Sequence, residues 1–209
     1  MIQKIWNNTT KQWRHIISHL SKEKQERITE RVTDNILTHL PTSLTSVVDW
    51  GCGGGLISKL FLERDYKVYV VDLIQDSIDN AYKYVNEITY SQLIPENVNE
   101  VKYKGPKPDL IFCNEVIQHF PSYDYFSKIL SIWTQDISPN YIAIQVKLNN
   151  VTKSTDNYEK EFLNGLLFYE DDLIRDFSNK SYKAISKNYS QTVAGIPMGY
   201  YIFKKKLND

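Results

Sequence analysis

Hydrophobic positions along the chain change period several times, and each change predicts an element. Ile2, Ile5, Trp6, Thr9, Trp13, Ile16, Ile17 and Leu20 recur near helical spacing, which predicts one or two amphipathic helices over residues 2–20. Ser21 stands where a helix cap belongs. Ile28, Val32, Ile36, Leu37 and Leu40 give the next helix one apolar face, and Pro41 ends it. The period then shortens. "SVVDW" reads as a short buried strand, "LISKLFLER" as a helix and "KVYVVD" as a second strand. A helix from about Asp76 carries Ile78, Ala81, Tyr82, Val85 and Ile88 on one side. A third strand is expected around Val98 to Tyr103, inside a polar stretch broken by prolines. "DLIFCNE" is again a buried strand, followed by a helix with Phe126, Ile129, Leu130 and Trp133 and then the strand "YIAIQVK". A polar loop runs from Leu148 to about Asn164, a helix covers Glu170 to Phe177, and "YKAISKNY" and "GYYIFKKK" close the chain as strands.

Strands alternating with helices predict an α/β fold: a mainly parallel sheet with helices on both faces. Residues 1–43 are read as an N-terminal helical cap or lid and residues 44–209 as one compact unit. Sheets of this kind take their ligands at the carboxyl ends of the strands, where strand order reverses. The turn after the first sheet strand belongs at that place.

Composition narrows the partners. The 25 basic and 25 acidic residues of the 209-residue chain cancel, so the broad basic surface of a nucleic-acid binder is missing and no nucleic-acid partner is expected. The opening residues lack the apolar core of a signal peptide, and no stretch has the length of a membrane span, so no membrane association is expected. Cys52 and Cys113 have no metal-type spacing and sit in apolar strand-end contexts, which suggests a reducing, cytoplasmic location.

The chemistry gathers at "VVDWGCGGGL", residues 47–56. Four glycines in five positions point to backbone at positive φ or to close approach by a ligand. About twenty residues further on, Asp72 ends the second strand, where a carboxylate accepts the hydroxyl hydrogens of a ribose. A nucleoside-bearing ligand follows. The dinucleotide fingerprint needs a third small residue, and Leu56 stands in its place. The spacing of Asp49, Gly51, Gly53 and Gly55 instead resembles the first motif of class I S-adenosylmethionine-dependent methyltransferases. "PDLIFCNEVIQHFPS", "GLLFYEDDLIRDF" and "GYYIFKK" resemble that family's fourth strand, late helix and seventh strand.

The resemblance implies a Rossmann-like three-layer sandwich with a seven-stranded, mostly parallel sheet, its last strand inserted antiparallel between strands five and six. It implies S-adenosylmethionine as cofactor. Gly51, Cys52 and Gly53 would bring main chain to the methionine part, Asp49 would organise the loop, and Asp72 would hold the ribose. Leu73 and Ile74 would flank the adenine, with Asn114 and Glu115 beside the cofactor, although both also fit a helix cap. Asn99 and Glu100 are the candidates for the polar residue after strand three that meets the adenine.

On the acceptor side, His119 is the one histidine near the expected site, as general base or as pocket lining beside Gln118. Trp6, Trp13 and Arg14 fit either a helix packing its aromatic stripe on the sheet or a lid, with Arg14 facing the cofactor's carboxylate. "FCNEV" lacks the Asn/Asp-Pro-Pro-aromatic signature of enzymes that methylate amino groups of nucleic acids, and the Pro-Cys of cytosine C5 enzymes. Strand five runs into "KLNN", without the Asp-Asn pair of catechol-type enzymes, so no metal is expected. The leading function is methyl transfer to oxygen or nitrogen of a small molecule. A NAD- or nucleotide-sugar-dependent Rossmann enzyme and a non-catalytic cofactor-binding regulator remain the alternatives.

Overall fold

The computed structural model describes residues 21–148, 166, 168–191 and 197–207. The helices expected over residues 2–20, with Trp6, Trp13 and Arg14, and the loop beyond Leu148 lie outside the described residues.

Helix α1 spans Lys22–Asn35, and Ser21 caps it by accepting a hydrogen bond from the Lys24 amide at 3.3 Å. A 3-10 turn at Leu37–His39 leads to strand β1, Ser46–Trp50. Then come α2 (Leu56–Leu62), β2 (Lys67–Asp72), α3 (Gln75–Tyr84), β3 (Tyr90–Leu93) and β4 (Leu110–Asn114). Helix α4 (Tyr123–Ser131), capped by Ser122, continues into a π-helical turn at Ile132–Ile137. The rest is β5 (Tyr141–Lys147), α5 (Glu170–Asn179), β6 (Tyr182–Gln191) and β7 (Pro197–Lys205).

The seven strands form one sheet in the order β3-β2-β1-β4-β5-β7-β6. Pairings from β3 to β5 are parallel, while β7 runs antiparallel to both β5 and β6. Rossmann-like architecture with an inserted antiparallel last strand is therefore the fold of this chain.

Alternate residues of each buried strand feed two cores. Val47, Val70, Phe112, Ala143 and Ile202 pack with Val32, Ile36, Phe61 and Ile78 from α1, α2 and α3. Val48, Val71, Ile111, Ile144 and Phe203 pack with Phe126, Trp133, Leu173 and Phe177 on the opposite face. Burying each such side chain contributes roughly 1.5–3 kcal/mol, so the central strands are anchored twice over. Strand order reverses between β1 and β4, and the carboxyl ends of β1, β2, β4 and β5 share one edge.

Two expectations need correction. Strand three is Tyr90–Leu93, paired with β2 from Tyr69↔Tyr90 to Asp72↔Leu93, whereas Val98–Glu100 forms a 3-10 turn. As an edge strand, β3 is only part-buried and lacks an apolar run. Val98 and Val101 pack inward from irregular backbone, which mimics one. The second concerns α3, which ends at Tyr84. Tyr82 is exposed there, with its hydroxyl donating to Ser91 Oγ at 3.1 Å, while Val85 turns inward just past the helix.

Candidate functional site

The glycine turn leaves β1 at the carboxyl edge and is tied to the end of β2. The amides of Gly51 and Cys52 both donate to the Val71 carbonyl, at 2.7 and 3.3 Å. Gly51, Gly53 and Gly55 have φ of +81°, +52° and +86°, the left-handed region in which side chains are strained. Close contacts add a second reason. A Cβ on Gly51 would lie 2.3 Å from Val116 Cγ2, and one on Gly55 would lie 3.0 Å from Ala81 Cα. Two of these glycines are thus required by the chain itself, where the turn meets the segment after β4 and where α2 meets α3.

Asp49 and Asp72 support the turn from below and from the side. The Ser58 hydroxyl of α2 donates to Asp49 Oδ2 at 2.6 Å, so Asp49 braces the start of α2 against β1. Burial pushes the Asp49 carboxyl up to about 7, against the Ser58 hydrogen bond and with help from the Asp72 charge. Asp72 spans the gap between strands. Its Oδ2 accepts from the Gly53 amide at 3.0 Å and its Oδ1 from the Ile74 amide at 2.9 Å. Burial pushes it up to about 6, although those backbone donors favour the ionised form. Of a carboxylate's roughly four acceptor positions, the two amides take one on each oxygen and the Cys52 thiol is a weak further donor to Oδ2, which leaves Oδ1 the open one. Cys52 Sγ lies 4.0 Å from Asp72 Oδ2, and burial raises its thiol well above the ordinary range. Leu73 is half-buried against the core, and Ile74 enters α3 in an extended conformation.

Past β4 the chain makes a tight sequence of polar residues. Asn114 pairs in register with Gln145 of β5, and its buried Oδ1 has no hydrogen-bond partner among the described residues. Glu115 has φ +56°, its amide donates to the Gln145 carbonyl at 3.1 Å, and its Oε1 accepts from Gln145 Nε2 at 3.1 Å. Gln118 is buried. Its Oε1 accepts from the Lys147 amide at 3.4 Å, whereas its Nε2 has no partner among the described residues. His119 ends the 3-10 turn Ile117–His119; burial, and then the Lys147 charge, push its imidazole down to about 4. It is neutral at pH 7.

The structure thus gathers Asp49, Gly51, Cys52, Gly53, Asp72, Leu73, Ile74, Asn114, Glu115, Gln118 and His119 along one edge, on the turns after β1, β2 and β4. Asn99 and Glu100 sit in the 3-10 turn beyond β3, where Glu100 Oε1 accepts from Asn97 Nδ2 at 2.7 Å. Arg14, Trp6 and Trp13 are outside the described residues. Sequence reasoning missed Ser58 and Gln145. Each is a lone polar residue in an otherwise apolar run, "LISKLFL" and "YIAIQVK", and that interruption is the signal that would have found them.

A family model described as "Methyltransferase domain" matches residues 5–189. Among curated proteins, the ubiquinone biosynthesis O-methyltransferase of Rickettsia akari is 30% identical over 143 residues, which cover 66% of this chain and 53% of that protein. The chain spans about half the length of the curated relatives it matches. Two solved structures share the fold. The 1,6-didemethyltoxoflavin-N1-methyltransferase of Burkholderia thailandensis, solved with its substrate and S-adenosylhomocysteine, has a TM-score of 0.70 at 16% identity, covering 98% of this chain and 89% of that one. A SAM-dependent methyltransferase of Leishmania major has a TM-score of 0.71 at 16% identity, covering 96% and 83%.

Proposed function

The chain belongs to the methyltransferase domain family so matched, and on that premise we propose that it transfers a methyl group from S-adenosylmethionine to a small-molecule acceptor. The observation that carries the reading is Asp72: a buried carboxylate at the end of β2, held by the Gly53 and Ile74 amides, with acceptor capacity left over. The open Oδ1 position, together with the Oδ2 position held only by the weak Cys52 thiol donor, suits the vicinal hydroxyls of a ribose. Gly51, Cys52 and Gly53 present main chain to the methionine part, Leu73 and Ile74 flank the adenine, and the Asn114 Oδ1 supplies an unfilled acceptor beside it. Asp49 acts through Ser58 as the brace of that turn, and Arg14 is assigned to the cofactor's carboxylate. The Rickettsia relatives are O-methyltransferases by name, which favours oxygen over nitrogen as the atom methylated.

The cofactor supplies an activated methyl carbon on a sulfonium, so the protein's work is mainly alignment and exclusion of water. Gln118 Nε2, a buried donor without a partner among the described residues, and His119 line the acceptor side. An imidazole held near 4 accepts a hydrogen bond readily but is a weak general base, so we assign His119 to orienting the acceptor first and to proton removal second. Residues 22–40 are built into the core beside α2, and the lid role is assigned to residues 1–20 with Trp6 and Trp13. No described helix is long and apolar enough to cross a membrane. Two free, buried thiols suit the reducing cytoplasm.

S-adenosylhomocysteine at a hundred times its Kd is expected to stabilise the folded chain by about 2.7 kcal/mol, which raises the melting temperature by roughly 5–10 °C for a domain of this size. NAD at the same concentration should leave it unchanged. A shift with NAD and none with S-adenosylhomocysteine would replace this reading with the dehydrogenase one.

A further inference from the structure

Strand β5 carries one buried polar residue on its apolar faces. Gln145 is 3% exposed, between Ile144 and Val146, which are fully buried. Burying an amide costs free energy unless its groups are bonded, and Gln145 directs its side chain to a single residue. Its Nε2 donates to Glu115 Oε1 and its carbonyl accepts from the Glu115 amide, each at 3.1 Å. That two-point grip holds a glutamate at φ +56°, where a residue with a Cβ is strained. A buried amide and a strained backbone are both spent on the placement of one carboxylate.

The position of that carboxylate gives the reason. On one side, Val116, the residue after Glu115, lies against the glycine turn, since a Cβ on Gly51 would meet its side chain at 2.3 Å. On the other, Gln145 pairs in register with Tyr200 of β7, away from the cofactor turn. The Tyr200 hydroxyl, pushed up by burial first, is also pushed up by the Glu115 charge. Glu115 therefore stands between Val116, which meets the glycine turn, and the paired Gln145 and Tyr200 of β5 and β7.

We propose that Gln145 is a positioning residue that fixes the Glu115 carboxylate beside the transfer point, where its charge makes the site prefer the cationic methyl donor over the neutral demethylated product. The inference rests on S-adenosylmethionine being the cofactor. In the transfer, the acceptor's electron pair would form the new bond to the methyl carbon, the carbon–sulfur electrons would return to sulfur, and the acceptor's proton would leave to His119 or to water. Donor and product then differ by one methyl and one positive charge at that sulfur. A fixed negative charge nearby separates the two ligands and speeds exchange of product for fresh donor.

The test is calorimetric titration of S-adenosylmethionine and S-adenosylhomocysteine into the full chain, the Glu115→Gln and Gln145→Leu variants and the double variant. In Glu115→Gln the preference for donor over product is expected to fall about tenfold, the scale of losing one charge at close range in a partly buried site. Gln145→Leu should lower the same ratio. The double variant should match Glu115→Gln, because Gln145 acts through Glu115. Glu115→Gln keeps the side chain's size and an oxygen for Gln145 Nε2, so an unchanged ratio there overturns the proposal even if Gln145→Leu does not fold. Additive losses in the double variant overturn the positioning role. A full chain that binds neither ligand overturns the cofactor reading itself.

Discussion

Gly51→Ala is expected to lower the melting temperature by roughly 4–24 °C, at 2–4 °C per kcal/mol for a chain of this size. Two separate costs add. The residue sits at φ +81°, and forcing an alanine there costs about 1–3 kcal/mol. The new Cβ would also stand 2.3 Å from Val116 Cγ2 and 2.9 Å from Cγ1, so Val116 must move. Overpacking of this kind costs about 1–3 kcal/mol more. A second substitution separates the terms. Val116→Ala removes both Cγ atoms, so Gly51→Ala/Val116→Ala should recover the packing cost relative to Val116→Ala alone and retain only the backbone strain. Thermal melts of the four proteins complete the cycle. If Gly51→Ala melts within about 2 °C of the parent, well below the sum of these costs, the turn relaxes and the glycine is there for the ligand alone.

That outcome bears on how the sequence is read. The spacing of Asp49, Gly51, Gly53 and Gly55 marks the turn after β1, but spacing alone cannot separate a glycine required by a ligand from one required by a neighbouring side chain or helix. Val116 and Ala81, the contacts of Gly51 and Gly55, are 65 and 26 residues away along the chain. Strands β1, β2, β4 and β5 were legible because they are buried on both faces and read as near-continuous apolar runs. Strand β3 was not, since its part-buried "YSQL" carries no such run while Val98 and Val101 imitate one. Gln145 was hidden for another reason. A polar residue inside "YIAIQVK" gains meaning only when β4 is laid beside β5 and Glu115 comes within 3.1 Å of it.

Below about pH 6 the affinity for S-adenosylhomocysteine is expected to fall, close to tenfold per pH unit, as Asp72 takes up a proton. An ionised carboxylate offers only acceptors, and the protonated group gives one of them up to its own hydrogen. The ligand-free fold should respond in the opposite sense. An unfolded aspartate releases its proton near 3.8, whereas in the folded chain Asp72 holds it to about 6 and Asp49 to about 7. Between those values the folded state binds more protons, so these two groups stabilise it most at low pH and lose that contribution as pH rises through the window. For Asp72 the interval corresponds to about 3 kcal/mol. His119 opposes them. Its imidazole, pushed from 6.5 down to about 4, stays neutral in the folded chain while the unfolded chain protonates, which removes stability as pH falls below 6.5. Two aspartates against one histidine leave a net loss of stability from about pH 4 to 7. Asp72→Asn isolates the term. It should flatten the pH dependence of binding, weaken S-adenosylhomocysteine by about 1–3 kcal/mol at pH 8, and reduce the decline in melting temperature between pH 5 and 8. Calorimetric titrations at pH 5, 6, 7 and 8 on both proteins decide it. An affinity that stays level from pH 8 to pH 5 in the parent chain would remove the ionised Asp72 carboxylate from the ribose.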